Sequence, residues 1–163
     1  MKRFLSLLLI FCLVLSGCGI LAERMREPVT FYYVRSGYDA NMSQVIGSEE
    51  RDAAGHRGEL SYLLALYLMG PSQEGLRMPF PGSTRVLSVE REGGSITLEL
   101  SDTGITLTDA QFSLACACLS LTCLNLTDAE TVTILSAERS VTMSRDNLVL
   151  FDGSTPATAE ETQ

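Results

Sequence analysis

Residues 107–125, LTDAQFSLACACLSLTCLN, carry the clearest structural signals in the chain. Thr108 is a typical helix N-cap, and Gln111 three residues later completes a capping box. Leu107 and Phe112 are spaced as a hydrophobic staple across the same helix start. We therefore predict a helix that begins after Thr108 and ends near Asn125. Its buried stripe is expected to comprise Phe112, Ala115, Cys116, Leu119 and Cys123.

Another helix is predicted upstream, from Glu59 to Gly70. Its apolar residues recur at the spacing of one helix face, and Gly70 with Pro71 ends the pattern. The predicted buried stripe comprises Leu60, Leu63, Leu64, Tyr67 and Leu68.

A β-hairpin is predicted between the two helices. Gly93-Gly94 fits a two-residue turn whose backbone needs positive φ. The register that this turn sets has one apolar face for the core and one polar face for water. It pairs Leu87 with Leu100, Val89 with Leu98, and Arg91 with Ile96.

The remaining apolar stretches predict the outer strands. Residues 29–35 (VTFYYVR) are β-branched and aromatic, and residues 131–136 (TVTILS) alternate. Val141 and residues 148–150 are candidates for one further pairing. Residues 36–57 are interpreted as a long polar loop with room for a short edge strand at residues 45–51. The predicted fold is α+β, in β-α-β-β-α-β order, with one small mixed sheet and two helices packed on one face.

Composition limits the classes of function. The chain has 163 residues, 45% of them hydrophobic, and a formal net charge of −8, which indicates one domain. An acidic balance disfavours a nucleic-acid partner, because such binding rests on clustered Lys and Arg. No run approaches the roughly 20 apolar residues that span a bilayer.

The N-terminus predicts export and lipidation. Lys2 and Arg3 precede an apolar stretch 12 residues long, at 4–15, which forms an export signal too short to span a membrane. Residues 15–18, Leu-Ser-Gly-Cys, resemble the lipobox of bacterial lipoproteins. The resemblance implies cleavage before Cys18 and transfer of a diacylglyceryl group to its thiol. Two acyl chains anchor a protein stably, whereas one holds it only marginally. The alternative is an ordinary secretory signal with a Cys there by chance.

These signals predict four regions: a lipoprotein signal peptide at 1–17, a lipidated tether at 18–28, the folded domain at 29–151, and a disordered acidic tail at 152–163. Cleavage would remove Lys2 and Arg3 but no acid, so the mature chain would carry a net charge of −10. The expected location is the extracytoplasmic face of the cell membrane, attached through Cys18.

Three cysteines, Cys116, Cys118 and Cys123, fall on the second predicted helix. Helix geometry places Cys123 about 7.5 Å or more along the axis from the other two, beyond disulfide reach, and places Cys116 and Cys118 on opposite sides. The three therefore cannot share one zinc ion. We interpret them as small core residues, with an intermolecular or redox role as the alternative.

Candidate catalytic residues are few. His56 is a candidate to act with Ser83 or Ser101 and an Asp in acyl transfer, but no nucleophile-elbow motif marks such a triad. Glu99 and Asp102 flank Ser101, which is weak support for a glycosidase. Phosphate-binding, dinucleotide-binding and calcium-loop motifs are absent from the sequence. We therefore predict no catalytic, cofactor-binding or metal-binding residues, and a protein that is not an enzyme.

Several segments together resemble the GerMN domain of sporulation and germination lipoproteins from endospore-forming bacteria. They are LYLMGP at 66–71, PGSTRVL at 81–87, TLELS at 97–101, and the second helix followed by the strand at 132–135. The resemblance covers residues 29–151. It implies a small unit similar to the ring-building modules of secretion-type complexes, with no active site to transfer.

The resemblance also implies a role. We expect a non-enzymatic module for protein-protein interaction that helps to assemble an envelope complex during sporulation or germination. Its partners would be membrane lipid, through acylated Cys18, and an envelope protein complex, with a homo-oligomeric ring as one form. A lipoprotein that binds cell-wall glycan or a small germinant is the alternative, and a secreted hydrolase comes third.

Overall fold

The computed structural model describes residues 27–37, 44–101 and 107–147, which form two helices and seven strands. The predicted α+β class with two helices is confirmed. The predicted signal peptide, Cys18, Asp102, residues 148–150 and the tail lie outside the described residues. The elements are β1 (Pro28–Arg35), β2 (Ile46–Asp52), α1 (Leu60–Leu68), β3 (Leu76–Arg77), β4 (Val86–Glu92), β5 (Ser95–Leu100), α2 (Asp109–Leu126), β6 (Thr131–Ser136) and β7 (Arg139–Ser144).

The larger sheet has the strand order β4-β5-β6-β7. β5 and β6 are parallel and are joined by α2, while the other two pairs are antiparallel. Parallel neighbours need a long crossover of this kind, because the chain must return to the starting end of the sheet. One face of the central strands is fully buried, through Ile96, Leu98, Leu100, Val132 and Ile134.

The hairpin register is confirmed near the turn and wrong at its far end. Val89 faces Leu98 and Arg91 faces Ile96, and Gly93 and Gly94 have φ of 53° and 85°. A β-bulge between Val86 and Ser88 then shifts the pairing by one residue, so Val86, not Leu87, lies opposite Leu100. Because a bulge leaves one residue unpaired, Leu87 is displaced outward and is 60% exposed.

A second, three-stranded sheet replaces part of the single predicted sheet, and β2, β3 and β7 are additional to the predicted β-α-β-β-α-β order. Its order is β2-β1-β3, and both pairs are antiparallel. β2 occupies the edge-strand position anticipated at residues 45–51. The remaining edge of β1 is covered by α2, because the Tyr32 N–H donates to Thr122 Oγ1 at 3.0 Å. This contact takes up the edge through which β1 would have joined the larger sheet.

Helix α2 is the central element of the core. Its predicted capping box is present, with the Gln111 N–H donating to Thr108 Oγ1. All five residues of the predicted stripe are buried, but so are Cys118, Ser120, Leu121, Thr122 and Leu124. The helix contacts β1 of the smaller sheet and β6 and β7 of the larger sheet, so more than one of its sides is covered. The single-stripe prediction was therefore too narrow.

By length and composition α2 could also cross a membrane. Its 18 residues have a mean hydropathy of 1.2, and 56% of them are buried inside the fold. The helix still contains no run of about 20 apolar residues, because Asp109, Gln111 and several Ser and Thr residues interrupt it. The contacts of α2 with both sheets are those of a core helix.

The C-terminal end of α2 is held by an arginine that is distant in sequence. Arg145, after β7, donates to the carbonyl oxygens of Leu124, Thr127 and Ala129 at the end of α2. These carbonyls have no partner within the helix, and a cation there also favours the helix dipole. The helix ends at Leu126, one residue beyond the predicted stop.

Helix α1 packs its buried side on an aromatic cluster. Leu60, Leu63, Leu64 and Tyr67 are buried as predicted, while Leu68 is half-buried. The rings of Tyr33 and Tyr67 stack with centroids 4.8 Å apart, and the Tyr33 hydroxyl donates to the Tyr67 carbonyl at 3.0 Å. Burial raises the pKa of both phenols, so they stay neutral in the core.

Candidate functional site

Helix α1 presents an uncharged side to solvent. Residues 60–73 include no charged residue, although a fifth of the whole chain is charged. Ser61, Tyr62, Ala65 and Met69 are exposed, and at 100° per residue they lie within about a third of the helix circumference. A solvent-facing helix stripe is normally polar and charged. This side of α1 therefore has the composition of a contact surface.

The bulge in β4 places another apolar side chain beside this stripe. Leu87 lies across a groove of about 470 Å³ that separates α1 from the start of β4. We call the surface formed by Ser61, Tyr62, Ala65, Met69 and Leu87 the α1–β4 face. The groove is lined by Ser61, Ala65, Leu68, Met69 and residues 84–89.

Exposure of large apolar side chains is concentrated on this face. Within the described residues, the large hydrophobic side chains that remain exposed are Tyr62 at 38%, Met69 at 80% and Leu87 at 60%. Single exposed apolar residues are ordinary, but a cluster on one face marks an interaction surface. All three belong to the α1–β4 face.

The two ends of the face differ in charge. Arg91 of β4 lines another hollow with Leu60 and Leu63, so β4 runs antiparallel to α1. Arg85, which precedes β4, therefore lies at the Met69 end. Glu59 lies at the other end, where His56 Nδ1 is 3.0 Å from Glu59 Oε1. Arg85 thus flanks one end of the uncharged face, and Glu59 flanks the other, where Arg91 is paired with Asp128.

The residues considered for acyl transfer have separate environments. The ring of His56 stacks on Tyr62 with centroids 4.2 Å apart, in addition to its contact with Glu59. Ser101 Oγ accepts from the Arg85 N–H, and its carbonyl accepts from Ser136. Ser83 is exposed in a turn. The described contacts link His56 to neither serine.

Glu99 likewise has a structural partner. Its carboxylate accepts a hydrogen bond from the Ser88 hydroxyl across the β4–β5 pair, at 3.1 Å. Asp102, the other residue of the candidate glycosidase pair, lies outside the described residues. Glu99 therefore contributes to the cross-strand surface of the hairpin.

The three helix cysteines are buried free thiols. Burial raises the pKa of Cys116, Cys118 and Cys123 to about 12 in each case. A thiolate is the reactive form, so these groups are inert near neutral pH. Within residues 27–37, 44–101 and 107–147 there is no cluster of three or more His, Cys, Asp or Glu side chains arranged to hold a metal ion.

A second hollow is more polar. It has a volume of about 310 Å³ and lies where α1 begins and α2 ends, with Arg57, Asn125 and Thr127 in its lining. Arg91 and Asp128 also line it and form an ion pair at 2.7 Å. This pair is well exposed, and such pairs contribute little.

Glu49 and Arg51 form a buried cluster that the sequence reasoning missed. Glu49, only 5% exposed, accepts from the N–H groups of Ser72 and Gln73, while Arg51 donates to the Leu66 and Gly70 carbonyls at the end of α1. Burial is the largest influence on the pKa of Glu49 and acts to raise it. The hydrogen bonds and the Arg51 charge outweigh burial, so the pKa lies below its usual value. Glu49 sits in a polar run, GSEERD, where no pattern distinguishes it from Glu50.

Comparison with solved structures identifies the fold. The chain is 17% identical to the tandem GerMN domains of the sporulation protein GerM from Bacillus subtilis, with a TM-score of 0.52 over 75% of this chain and 45% of that one. It therefore spans just under half of that chain. A crystal structure of a candidate lipoprotein from Clostridium perfringens is also 17% identical, with a TM-score of 0.46 over 73% of this chain and 89% of that one.

Comparison with sequences identifies the family. No curated protein sequence matches the chain. A family model described as Germane, sporulation and spore germination, matches residues 30–142, which is more than half of the chain and runs from the third residue of β1 into β7. The chain therefore belongs to the Germane family of sporulation and spore germination domains.

Proposed function

We propose that this protein is a lipid-anchored, non-enzymatic interaction module on the extracytoplasmic face of the cell membrane, and that it helps to assemble an envelope complex in sporulation or spore germination. Family membership supports the sporulation or germination setting. The lipobox at residues 15–18 supports the anchor. The observation that carries the interaction role is the uncharged α1–β4 face.

The physical case for an interaction surface rests on desolvation. Met69 and Leu87 expose most of their apolar area, and burying such a side chain contributes about 1.5 to 3 kcal/mol. Binding energy at interfaces is concentrated in a few such central side chains. No charge on α1 has to be desolvated when a partner covers it. The face is thus suited to contact with another protein.

The chemistry of the described residues supports a role without catalysis. His56, Ser83 and Ser101 are not brought together, and burial keeps the helix thiols protonated. An assembly module distributes its function over a surface of about 800 Å² per partner, whereas an enzyme concentrates it in a few titratable groups. Substituting His56 alone should therefore leave cellular function intact.

The interaction role is tested by complementation. In a strain that lacks the gene, a double variant with Met69→Asp and Leu87→Asp should fail to restore heat-resistant spores or germination. The matched control, Ser113→Asp with Ser140→Asp, adds the same two charges at exposed positions on α2 and β7 and should restore both. Full function of the first variant, or loss of function with His56→Ala at unchanged stability, would contradict the proposal.

The anchor is tested separately by Cys18→Ser. Without the thiol no diacylglyceryl group can be attached, so the protein should be released or left unprocessed. Membrane fractionation and labelling with a radioactive fatty acid measure the effect. The anchoring proposal fails if the variant remains with the membranes and the wild type incorporates no label.

A further inference from the structure

The α1–β4 face carries both protruding and recessed features. Met69 and Leu87 protrude at one end, while Ser61 and Ala65 have small side chains that leave the groove open. Ser61, Ala65 and Met69 are spaced by four residues, so Ala65 lies midway between the recess and the protrusion. A half-turn about an axis through Ala65 exchanges the two ends. This rotation sets the protruding Met69 and Leu87 of one copy against Ser61 of the other, beside Tyr62.

The charges at the ends of the face are complementary under the same rotation. Arg85 lies beside Met69, and Glu59 precedes Ser61 at the opposite end, where its side chain is 65% exposed. A half-turn brings each Arg85 towards the Glu59 of the second copy, twice per pair. Arg57, two residues before Glu59, lines the polar hollow on the other side of the α1 start. Self-complementarity of this kind is the requirement for a two-fold contact.

We propose that the α1–β4 face binds the same face of a second copy of this chain, with the two α1 helices antiparallel across a two-fold axis at Ala65. The inference rests on the proposed interaction role and names its partner. Small residues at Ser61 and Ala65 allow the two helices to approach to about 8–10 Å between axes. Met69 of each copy then covers Ser61 of the other.

Net charge does not prevent this contact. The expected mature charge of −10 repels a second copy at long range, but salt screens exposed charges beyond about 8 Å at physiological ionic strength. At the contact itself residues 60–73 contribute no charge. The same net charge disfavours an anionic membrane surface as the occupant, because that surface is charged throughout.

Crosslinking in membranes tests the two-fold geometry. Ala65→Cys in the full, anchored chain should give a covalent dimer with a short bis-maleimide, because the two introduced thiols face each other at the axis. The buried native thiols do not compete. Ser140→Cys, exposed on β7, is the matched control and should give at least tenfold less dimer.

A charge exchange then distinguishes a second copy from another partner. In the Ala65→Cys background, Arg85→Glu or Glu59→Arg should each reduce the dimer yield about tenfold, because like charges meet twice. The double variant Arg85→Glu, Glu59→Arg should restore the yield. Thermal unfolding of each variant shows whether the fold is retained.

The outcomes separate the inference from the proposed function. Recovery in the double variant supports the two-fold contact. A crosslink from Ala65→Cys to a different protein overturns the second-copy inference but leaves the interaction role in place. Absence of any crosslink, together with full complementation by Met69→Asp, Leu87→Asp, overturns both. A dimer that none of the charge variants weakens would show that the contact has a different geometry.

Discussion

Helices α1 and α2 have similar composition and different surroundings. α1 carries no charged residue and α2 carries only Asp109, at its first position. Strands from both sheets pack against α2, whereas α1 buries one side and exposes Ser61, Ala65 and Met69 on the other. An apolar helix therefore indicates that water is excluded, but topology decides whether the same chain or a partner excludes it.

The largest contrast is expected between matched leucines. Leu119→Ala removes a fully buried side chain from α2, and the cavity should cost about 2 to 5 kcal/mol of unfolding free energy. Leu87→Ala removes the same atoms from the exposed bulge and should change stability by no more than about 0.5 kcal/mol. Urea unfolding of both variants measures the difference. A strongly destabilising Leu87→Ala would mean that Leu87 belongs to the core of the single chain.

A smaller effect is expected at the end of α2. Arg145→Gln removes the guanidinium that donates to the Leu124, Thr127 and Ala129 carbonyls, and hydrogen bonds of this partly buried kind contribute about 1 kcal/mol each. Arg85→Gln at the exposed end of the α1–β4 face is the matched control and should be nearly neutral for the free chain. Equal losses for the two arginines would show that Arg145 does not hold the helix end.

Local patterns predicted the elements well, because they depend on neighbouring residues. The capping box of Thr108 and Gln111, the stripe of α1 and the hairpin turn were all confirmed. The bulge at Leu87 was missed because the two-residue period of a strand continues through it in sequence. Only the partner strand shows that one residue has been skipped.

Features that depend on distant parts of the chain could not be predicted from the sequence, for a different reason. The pairing of β1 with β2 and its contact with Thr122 of α2 depend on how distant elements pack. The local spacing of apolar residues carries no information about such packing. The burial of Glu49 depends on the loop after α1 folding back to donate two N–H groups. The α1–β4 face could not be predicted for both reasons, because it depends on the bulge in β4 and on the packing of α1 beside β4.

The Glu49 cluster should make the α1 region sensitive to acid. Its folded pKa lies below the unfolded value, which is about 4.3 for Glu. The carboxylate therefore contributes stability that is fully present above the unfolded pKa and is lost as the pH falls through the folded pKa. The stability gap between wild type and Glu49→Gln should be constant near neutral pH and shrink below about pH 4. The control is Glu50→Gln, at an exposed position on the same strand. If its stability gap to wild type shrank equally below about pH 4, the acid sensitivity would not come from Glu49.

The smallest change in stability is expected for Cys116→Ala, because one sulfur leaves only a small void in α2.

The rate at which thiols are alkylated should nevertheless differ sharply between the two helices. At pH 8 a thiol with a pKa of about 12 is thiolate in about one molecule in ten thousand, and the native cysteines are also buried. An alkylating reagent should therefore label Cys116, Cys118 and Cys123 only after denaturation, while an Ala65→Cys thiol on α1 labels at once. Rapid labelling of the native thiols would place α2 at a surface. Protection of the Ala65→Cys thiol in membranes, followed by labelling after dilution in detergent, would show that a partner covers α1 where the single chain does not.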